Sequence, residues 1–155
     1  MISQVTTSGA TWNELPYKFE AGTPNIAGVI GMGAAITYLQ GLDLEKALVF
    51  ENSLANKVRK KLLQNPNVTL YTKDDKDRVA TVTFYHKTVH PHDLAAVFDS
   101  LGVCIRGGHH CAQPLMDYLG VEATSRASFY LYNTEEDANK FLEPNWLKEL
   151  SKSTT

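Results

Sequence analysis

The sequence lacks the features that mark nucleic-acid-binding, membrane and secreted proteins. Its formal net charge of −2 at pH 7 gives no excess of Lys and Arg with which to bind a phosphate backbone. No apolar run reaches the roughly 20 residues that span a bilayer, and the opening residues carry neither the basic nor the apolar region of a signal peptide. We therefore expect a soluble, cytoplasmic protein that binds neither nucleic acid nor membrane.

Cysteine is also scarce, since Cys104 and Cys111 are the only two in the chain. In a reducing compartment both are expected to be thiols rather than the halves of a disulfide. The chain has no C-x-x-C pair, and the separation of the two cysteines matches no common zinc-ligand spacing. We therefore predict no metal site within the chain.

Length and pattern predict an α/β fold. At 155 residues the chain is long enough to bury a core, and helical and strand patterns alternate after a polar opening that is expected to be extended or loop. Helices are predicted over residues 24–40, 43–64, 91–100, 112–119 and 134–150, and strands over 68–71, 79–84, 103–106 and 126–132. Together they predict a small, mainly antiparallel sheet packed with helices.

Capping residues define several helix ends. Thr23, before a proline, is predicted to cap the first helix, Gly102 to end the third, and Asn133 with Glu136 to open the last. The glycines between Gly28 and Gly33 resemble a dinucleotide-binding loop. Their G-x-x-G-x-G spacing and their place inside a helix instead favour close helix packing.

The stretch "RGGHHCAQPL", residues 106–115, carries the features of a thiol nucleophile. Cys111 falls just before a short predicted helix, whose free backbone N–H groups favour an anionic thiolate. Two glycines allow an open approach to the sulfur, and His109 and His110 are placed to deprotonate or shield it. The structural alternative is a cysteine packed in a turn, and the local residues do not decide between the two.

Three motifs, "FEAGTPN", "RGGHHCAQPLM" and "RASFYLYNT", in this order and at these separations, resemble the C-terminal part of SufS-type cysteine desulfurases. These are pyridoxal-phosphate enzymes of the class V aminotransferase family, with the aspartate aminotransferase fold type. The resemblance runs from about Gly9 to Leu150. It implies that residues 1–24 are a strip of a large domain and that residues 25–151 are the small C-terminal domain.

The resemblance also implies roles for single residues. Cys111 matches the nucleophile that takes the sulfur of L-cysteine as a persulfide while L-alanine leaves. Arg126 matches the arginine that holds the substrate carboxylate, for which a planar guanidinium is suited, and Arg106 is similar to a nearby active-site arginine. Gly22 and Thr23 match the segment that reaches the cofactor phosphate of the other subunit in a homodimer. The structural alternatives are a surface ion pair for Arg126 and a plain helix cap for Thr23.

The chain departs from this family in length. The family's Schiff-base lysine, the aspartate facing the pyridine nitrogen and the histidine stacked on the ring all match positions upstream of residue 1. Lys87 follows His86 but lacks the family's Gly-Pro context, so it is predicted to be a solvated charge. We expect this chain alone to be inactive. The alternatives are a selenocysteine lyase or cysteine sulfinate desulfinase, and a stand-alone persulfide carrier that needs no cofactor.

The stretch "TVHPHDLA", residues 88–95, resembles the branch of the family that passes sulfur to a SufU-like zinc protein during iron–sulfur cluster assembly. In that branch His92 matches a histidine that takes over a zinc-ligand position of the partner, and a neutral imidazole is a good zinc ligand. The alternatives are a solvated histidine at a helix start and a SufE-like sulfur acceptor.

Overall fold

The computed structural model describes residues 1–71 and 79–143. By internal contacts the chain divides into two compact units, Met1–Asp43 and Leu44–Thr155. The domain boundary predicted after residue 24 is a different one, because it divides the large and small domains of a longer protein. It stays a prediction. The elements in chain order are β1 (Ile2–Thr6), β2 (Gly9–Trp12), α1 (Ile26–Gln40), α2 (Leu44–Leu62), β3 (Val68–Leu70), β4 (Thr81–His86), α3 (Pro91–Ser100), β5 (Arg106–Gly108), α4 (Gln113–Leu119), β6 (Thr124–Ser128) and α5 (Glu135–Leu142).

The first unit opens with a hairpin that the sequence did not reveal. Strands β1 and β2 pair antiparallel from Ile2 opposite Trp12 to Thr6 opposite Gly9. All their residues are exposed. Their sequences, ISQVT and GATW, also lack the alternation of apolar and polar residues on which strand prediction depends.

Helix α1 begins one residue after Asn25, and the predicted cap at Thr23 is wrong. The Asn25 side chain accepts a hydrogen bond from the backbone N–H of Gly28 at 3.0 Å, which satisfies a free donor of the first turn. A Cβ at Gly28 would overlap this same Asn25 side chain. Gly28 therefore serves the cap. A Cβ at Gly31 or Gly33 would meet nothing within 4 Å, so the described residues do not show the close packing predicted for this glycine pattern.

Helix α1 has no buried residue. Val29, Ile30 and Tyr38 are 64%, 69% and 70% exposed. Among the described residues, no single helix is both long and apolar enough to cross a membrane. Helices α1 and α2 reach the needed length and apolarity only when counted together across the break between them, which is weak support for a span.

The second unit is built on a four-stranded sheet in the order β3-β4-β6-β5, with every neighbouring pair antiparallel. The alternation predicted around β4 is confirmed, because Ala80, Val82 and Phe84 are buried. Val82 and Phe84 belong to one core with Leu54 and Val58 of α2, Leu94 and Phe98 of α3, and Phe141 of α5. Full burial of each large apolar side chain contributes about 1.5–3 kcal/mol. The predicted α/β class with a small antiparallel sheet is confirmed.

Two predicted strands are shifted along the chain. Residues 103–105 are not in a strand, and β5 begins only at Arg106, although Val103 and Ile105 do pack against the core. Strand β6 covers Thr124–Ser128 rather than residues 126–132. The backbone N–H of Tyr130 donates to the Asn133 side chain at 2.9 Å, so the chain turns where its aromatic residues predicted a continuing strand.

The ends of α3 and α5 show how well single residues mark helix boundaries. Helix α3 starts with Pro91 as predicted, and Gly102 follows it in the left-handed region at φ 72°. The capping box of α5 is formed by Thr134 and Asp137, one residue later than predicted. The part of the last predicted helix beyond residue 143, like the predicted loop over residues 73–77, lies outside the described residues.

Candidate active site

The two glycines of "RGGHHC" allow strand β5 to lie against the first turn of α3. A Cβ at Gly107 would stand 2.5 Å from the backbone oxygen of Pro91, and Gly108 has a φ of 129° that side chains disfavour. The close approach leaves the ring of His92 beside the strand, with Nε2 3.5 Å from where a Cβ of Gly108 would stand. The glycines thus bring the start of α3 to the cysteine segment.

After β5 the chain makes a tight turn that carries the cysteine. The backbone N–H of Ala112 donates to the His109 oxygen at 3.0 Å, and the central residues His110 and Cys111 have φ of 56° and 59°. Positive φ at both central positions is typical of type I′ turns, which favour Asn and Gly. For residues with a Cβ this conformation costs about 1–2 kcal/mol each. The surrounding contacts must therefore hold the turn in place.

The Cys111 thiol is exposed and faces a cation. Arg106 donates from Nη2 to Sγ at 3.3 Å. Helix α4 begins at Gln113, one residue later than predicted, with Ala112 as an N-cap that makes no side-chain hydrogen bond. The sulfur is therefore open to a substrate and lies next to a group that binds anions.

Arg126 lies on β6 directly opposite Arg106, because the two residues are Cα partners in the β5–β6 pair. Like charges at such paired positions destabilise a sheet. The Arg126 Nε atom is buried and has no hydrogen-bond partner among the described residues. Two opposed guanidinium groups, one with an unpaired buried donor, favour binding of an anion such as a carboxylate.

His110 is tied to the neighbouring strand. Its Nε2 atom lies 3.0 Å from Thr124 Oγ1 and 3.1 Å from the Thr124 backbone oxygen. Burial, together with the charge of Arg126, lowers the pKa of the His110 imidazole. The ring is therefore held in its neutral form, as a donor to Thr124.

Arg106, His110 and Cys111 line one open cleft of about 830 Å³, whereas Arg126 is not among the described residues that line it. Three predicted site residues, His92, Arg106 and Cys111, line this cleft. Its other titratable lining residues are His90, His109, His110 and Glu122. The rings of His90 and His92 are 4.9 Å apart. Gly22, with φ 74°, and Thr23 belong to the first unit, and their predicted contact with a cofactor phosphate stays a prediction.

Two other residues considered in the sequence lie elsewhere. Cys104 is exposed and precedes β5, so its predicted place in a strand over residues 103–106 is wrong. Lys87 is exposed, and its Nζ donates to the Pro66 oxygen at 2.7 Å. Within residues 1–71 and 79–143, no group of three or more His, Cys, Asp or Glu side chains is placed to hold a metal ion.

The comparisons with known proteins agree with this fold. The model of the aminotransferase class-V family matches residues 1–141, so the chain belongs to that family. A probable cysteine desulfurase of Halalkalibacterium halodurans is 50% identical over 137 residues, which are 88% of this chain and 33% of that protein. A cysteine desulfurase of Haloferax volcanii is 43% identical over 143 residues, which are 92% of this chain and 34% of that protein.

Solved structures give the same result. The crystal structure of the Escherichia coli cysteine desulfurase CsdA, in an S-sulfonic acid form, matches with a TM-score of 0.79 and 34% identity over 98% of this chain and 37% of that one. The apo structure of a cysteine desulfurase from Thermococcus onnurineus NA1 matches with a TM-score of 0.77 and 37% identity, again over 98% of this chain. The chain thus spans about a third of the length of the relatives that it matches.

Proposed function

We propose that this chain is the cysteine-bearing part of a cysteine desulfurase. The whole protein would convert L-cysteine to L-alanine, with the sulfur atom inserted at the Cys111 thiol to give a persulfide. The observation that carries this proposal is the exposed Cys111 Sγ, held on a tight turn 3.3 Å from Arg106. The relatives named cysteine desulfurase support it.

Substrate binding would fall to the two arginines. The unpaired Nε–H of Arg126 and the guanidinium of Arg106 on the adjacent strand offer donors to the carboxylate of an amino acid. A carboxylate there would also relieve the repulsion between the two cations. The side-chain sulfur of the amino acid would then lie near Cys111, because Arg106 also contacts the Cys111 Sγ.

Pyridoxal phosphate is the cofactor that we propose for the whole protein. Such a cofactor supplies the electron sink for chemistry at an amino acid, and it needs a lysine to hold it. The described residues that line the cleft include no lysine, so they do not hold the cofactor by themselves. In the proposal, the lysine comes from the part of the protein that this chain does not span, and Gly22 and Thr23 contact the cofactor phosphate of the second subunit of a homodimer.

A sulfur acceptor would meet Cys111 at the rim of the same cleft. His92 is exposed in the first turn of α3 and lines the cleft together with Cys111, which supports the proposed ligand exchange with a SufU-like zinc protein; a SufE-like acceptor is the other option. In the intact protein, His92→Ala should slow persulfide transfer to a SufU-like partner and leave persulfide formation unchanged. Unchanged transfer would contradict this role. Such an acceptor places the reaction in cytoplasmic iron–sulfur cluster assembly.

One observation favours a second candidate for the chain by itself. A cleft with a thiol and no lysine suits a persulfide carrier that needs no cofactor. The buried, unpartnered Nε of Arg126 argues against it, because a carrier needs no carboxylate site.

The deciding experiment uses the intact protein with L-cysteine, and measures L-alanine and the mass of the Cys111 peptide. We expect alanine and a gain of one sulfur atom on Cys111, both lost in Cys111→Ser. Alanine release that persists in Cys111→Ser would exclude Cys111 as the acceptor. Parallel assays with L-selenocysteine and L-cysteine sulfinate would separate desulfurase from selenocysteine lyase and sulfinate desulfinase.

A further inference from the structure

We propose that His110 is a positioning residue that keeps Cys111 beside Arg106 by tying the His109–Ala112 turn to Thr124. The inference rests on the proposed role of Cys111 as the sulfur acceptor. It begins from the backbone, because both central residues of the turn, His110 and Cys111, have positive φ. Such a pair is unfavourable for side chains with a Cβ, so the turn relaxes unless a tertiary contact holds it.

The contact that holds the turn is made by the His110 ring. Nε2 lies within hydrogen-bond distance of both Thr124 Oγ1 and the Thr124 backbone oxygen. A carbonyl oxygen only accepts, so Nε2 must carry the proton. The Thr124 hydroxyl in turn donates to Met116 Sδ at 3.8 Å, which leaves its oxygen free to accept from His110. Thr124 is fully buried on β6 and Met116 is buried on α4, so the turn is attached to two elements of the core.

The other ring nitrogen shows that His110 is not the base for Cys111. With Nε2 protonated, the neutral ring has a bare Nδ1, which is buried and has no hydrogen-bond partner among the described residues. Nδ1 therefore makes no hydrogen bond with the thiol. Burial and the nearby Arg126 lower the pKa of this imidazole, which keeps the donor to Thr124 in its neutral state.

The consequence for Cys111 is a fixed position next to a cation. Arg106 is on β5, and Cys111 reaches its Nη2 only while the turn keeps its shape. A released turn would let His110 and Cys111 return to negative φ and carry the sulfur away from Arg106. The thiol would remain exposed, but it would lose its electrostatic surroundings.

The test measures the electrostatic surroundings of the Cys111 thiol directly, with Cys104 as an internal control in the same molecule. Both thiols are exposed, so each can be alkylated by iodoacetate, which is an anion, and by iodoacetamide, which is neutral. At each thiol, the rate constant with iodoacetate is divided by the rate constant with iodoacetamide. This ratio at Cys111, divided by the ratio at Cys104, is the relative preference for the anion, and it reports a cation near Cys111. In the full chain we expect this relative preference to be roughly fivefold, the factor expected for one exposed charge at contact distance.

Three variants at one position separate positioning from general stability. His110→Phe keeps the ring but removes the donor, and should bring the preference close to one. His110→Ala keeps a Cβ at the strained position and lacks the donor, so it should also lose the preference. His110→Gln places an amide donor towards Thr124 and should restore most of it. Thr124→Val, which keeps only the backbone acceptor, should give an intermediate value.

The proposal would be overturned if either His110 variant that lacks a donor folds and keeps the same preference as the wild type. It would also be overturned if the wild-type chain shows no preference at Cys111. If His110→Phe does not fold, His110→Ala decides the outcome. The alkylation measurement does not depend on desulfurase activity. Failure of the proposed function would appear separately, as an intact protein that releases no alanine from L-cysteine.

Discussion

Replacement of Gly107 by alanine tests whether the close contact between β5 and α3 holds the site together. The added Cβ would stand 2.5 Å from the Pro91 oxygen and 2.8 Å from the Pro91 carbonyl carbon, where Cβ atoms essentially never come closer than 3.0 Å. Both partners are backbone atoms, so no side chain can rotate away. The start of α3 must therefore move by about half an ångström or more, against a core that includes Leu94 and Phe98 of the same helix.

Such overpacking typically costs 1–3 kcal/mol, and we expect about 3 kcal/mol because the backbone itself must shift. Urea unfolding at constant m should show the loss as a lower midpoint. Gly120→Ala is the matched control: a Cβ there meets nothing within 4 Å, and only the φ of 68° opposes it, at a cost of about 1 kcal/mol. A Gly107→Ala midpoint equal to or above that of Gly120→Ala would refute the argument from close approach.

The remaining predictions concern pH, the thiols and the cofactor. Burial lowers the pKa of His86 and, with Arg126, that of His110 below 6.5; the unfolded state then binds more protons, so stability is present above pH 6.5 and falls as pH drops towards the folded pKa. Urea midpoints at pH 7.5 and 5.5 should show this fall, and His110→Gln should reduce it; an unchanged slope would contradict the assignment to His110. Brief alkylation with iodoacetate should label Cys111 before Cys104, and mass spectrometry that finds Cys104 first would count against Cys111 as the nucleophile. The chain incubated with pyridoxal phosphate and dialysed should keep no visible absorbance band and release no alanine from L-cysteine; a retained band with turnover would show that a lysine of this chain, such as Lys87, holds the cofactor.

The sequence predicted the elements whose signals are local. Pro91 marked the start of α3 and Gly102 its end, because a proline at the first helical position and a left-handed glycine after the last turn are rules of the backbone itself. Strand β4 was likewise predicted from its alternating residues, and the structure buries Val82 and Phe84 as that alternation predicts. The hairpin β1–β2 had no such signal, since its side chains are all exposed.

The errors occurred where two local signals competed. Asn25 and Thr23 are both good caps, and only the contact between the Asn25 side chain and the Gly28 N–H shows which one acts. The residues after Ser128 have high strand propensity, but the Asn133 side chain accepts from Tyr130 and turns the chain there. Propensity is a weak prior, and a single side-chain hydrogen bond to the backbone is enough to override it.

At the site, the chemistry of Cys111 and Arg106 could be predicted from the sequence, but the reason that they meet could not. Both glycines were expected to open the approach to the sulfur, whereas Gly107 instead admits the backbone of α3. Thr124 was not singled out, because a threonine in a strand carries no functional signal until the register places it opposite Gly108. The segment from Gly108 to Cys111 breaks local rules, with positive φ at Gly108, His110 and Cys111. Departures of this kind persist only where surrounding contacts impose them, and here those contacts hold the Cys111 thiol beside Arg106.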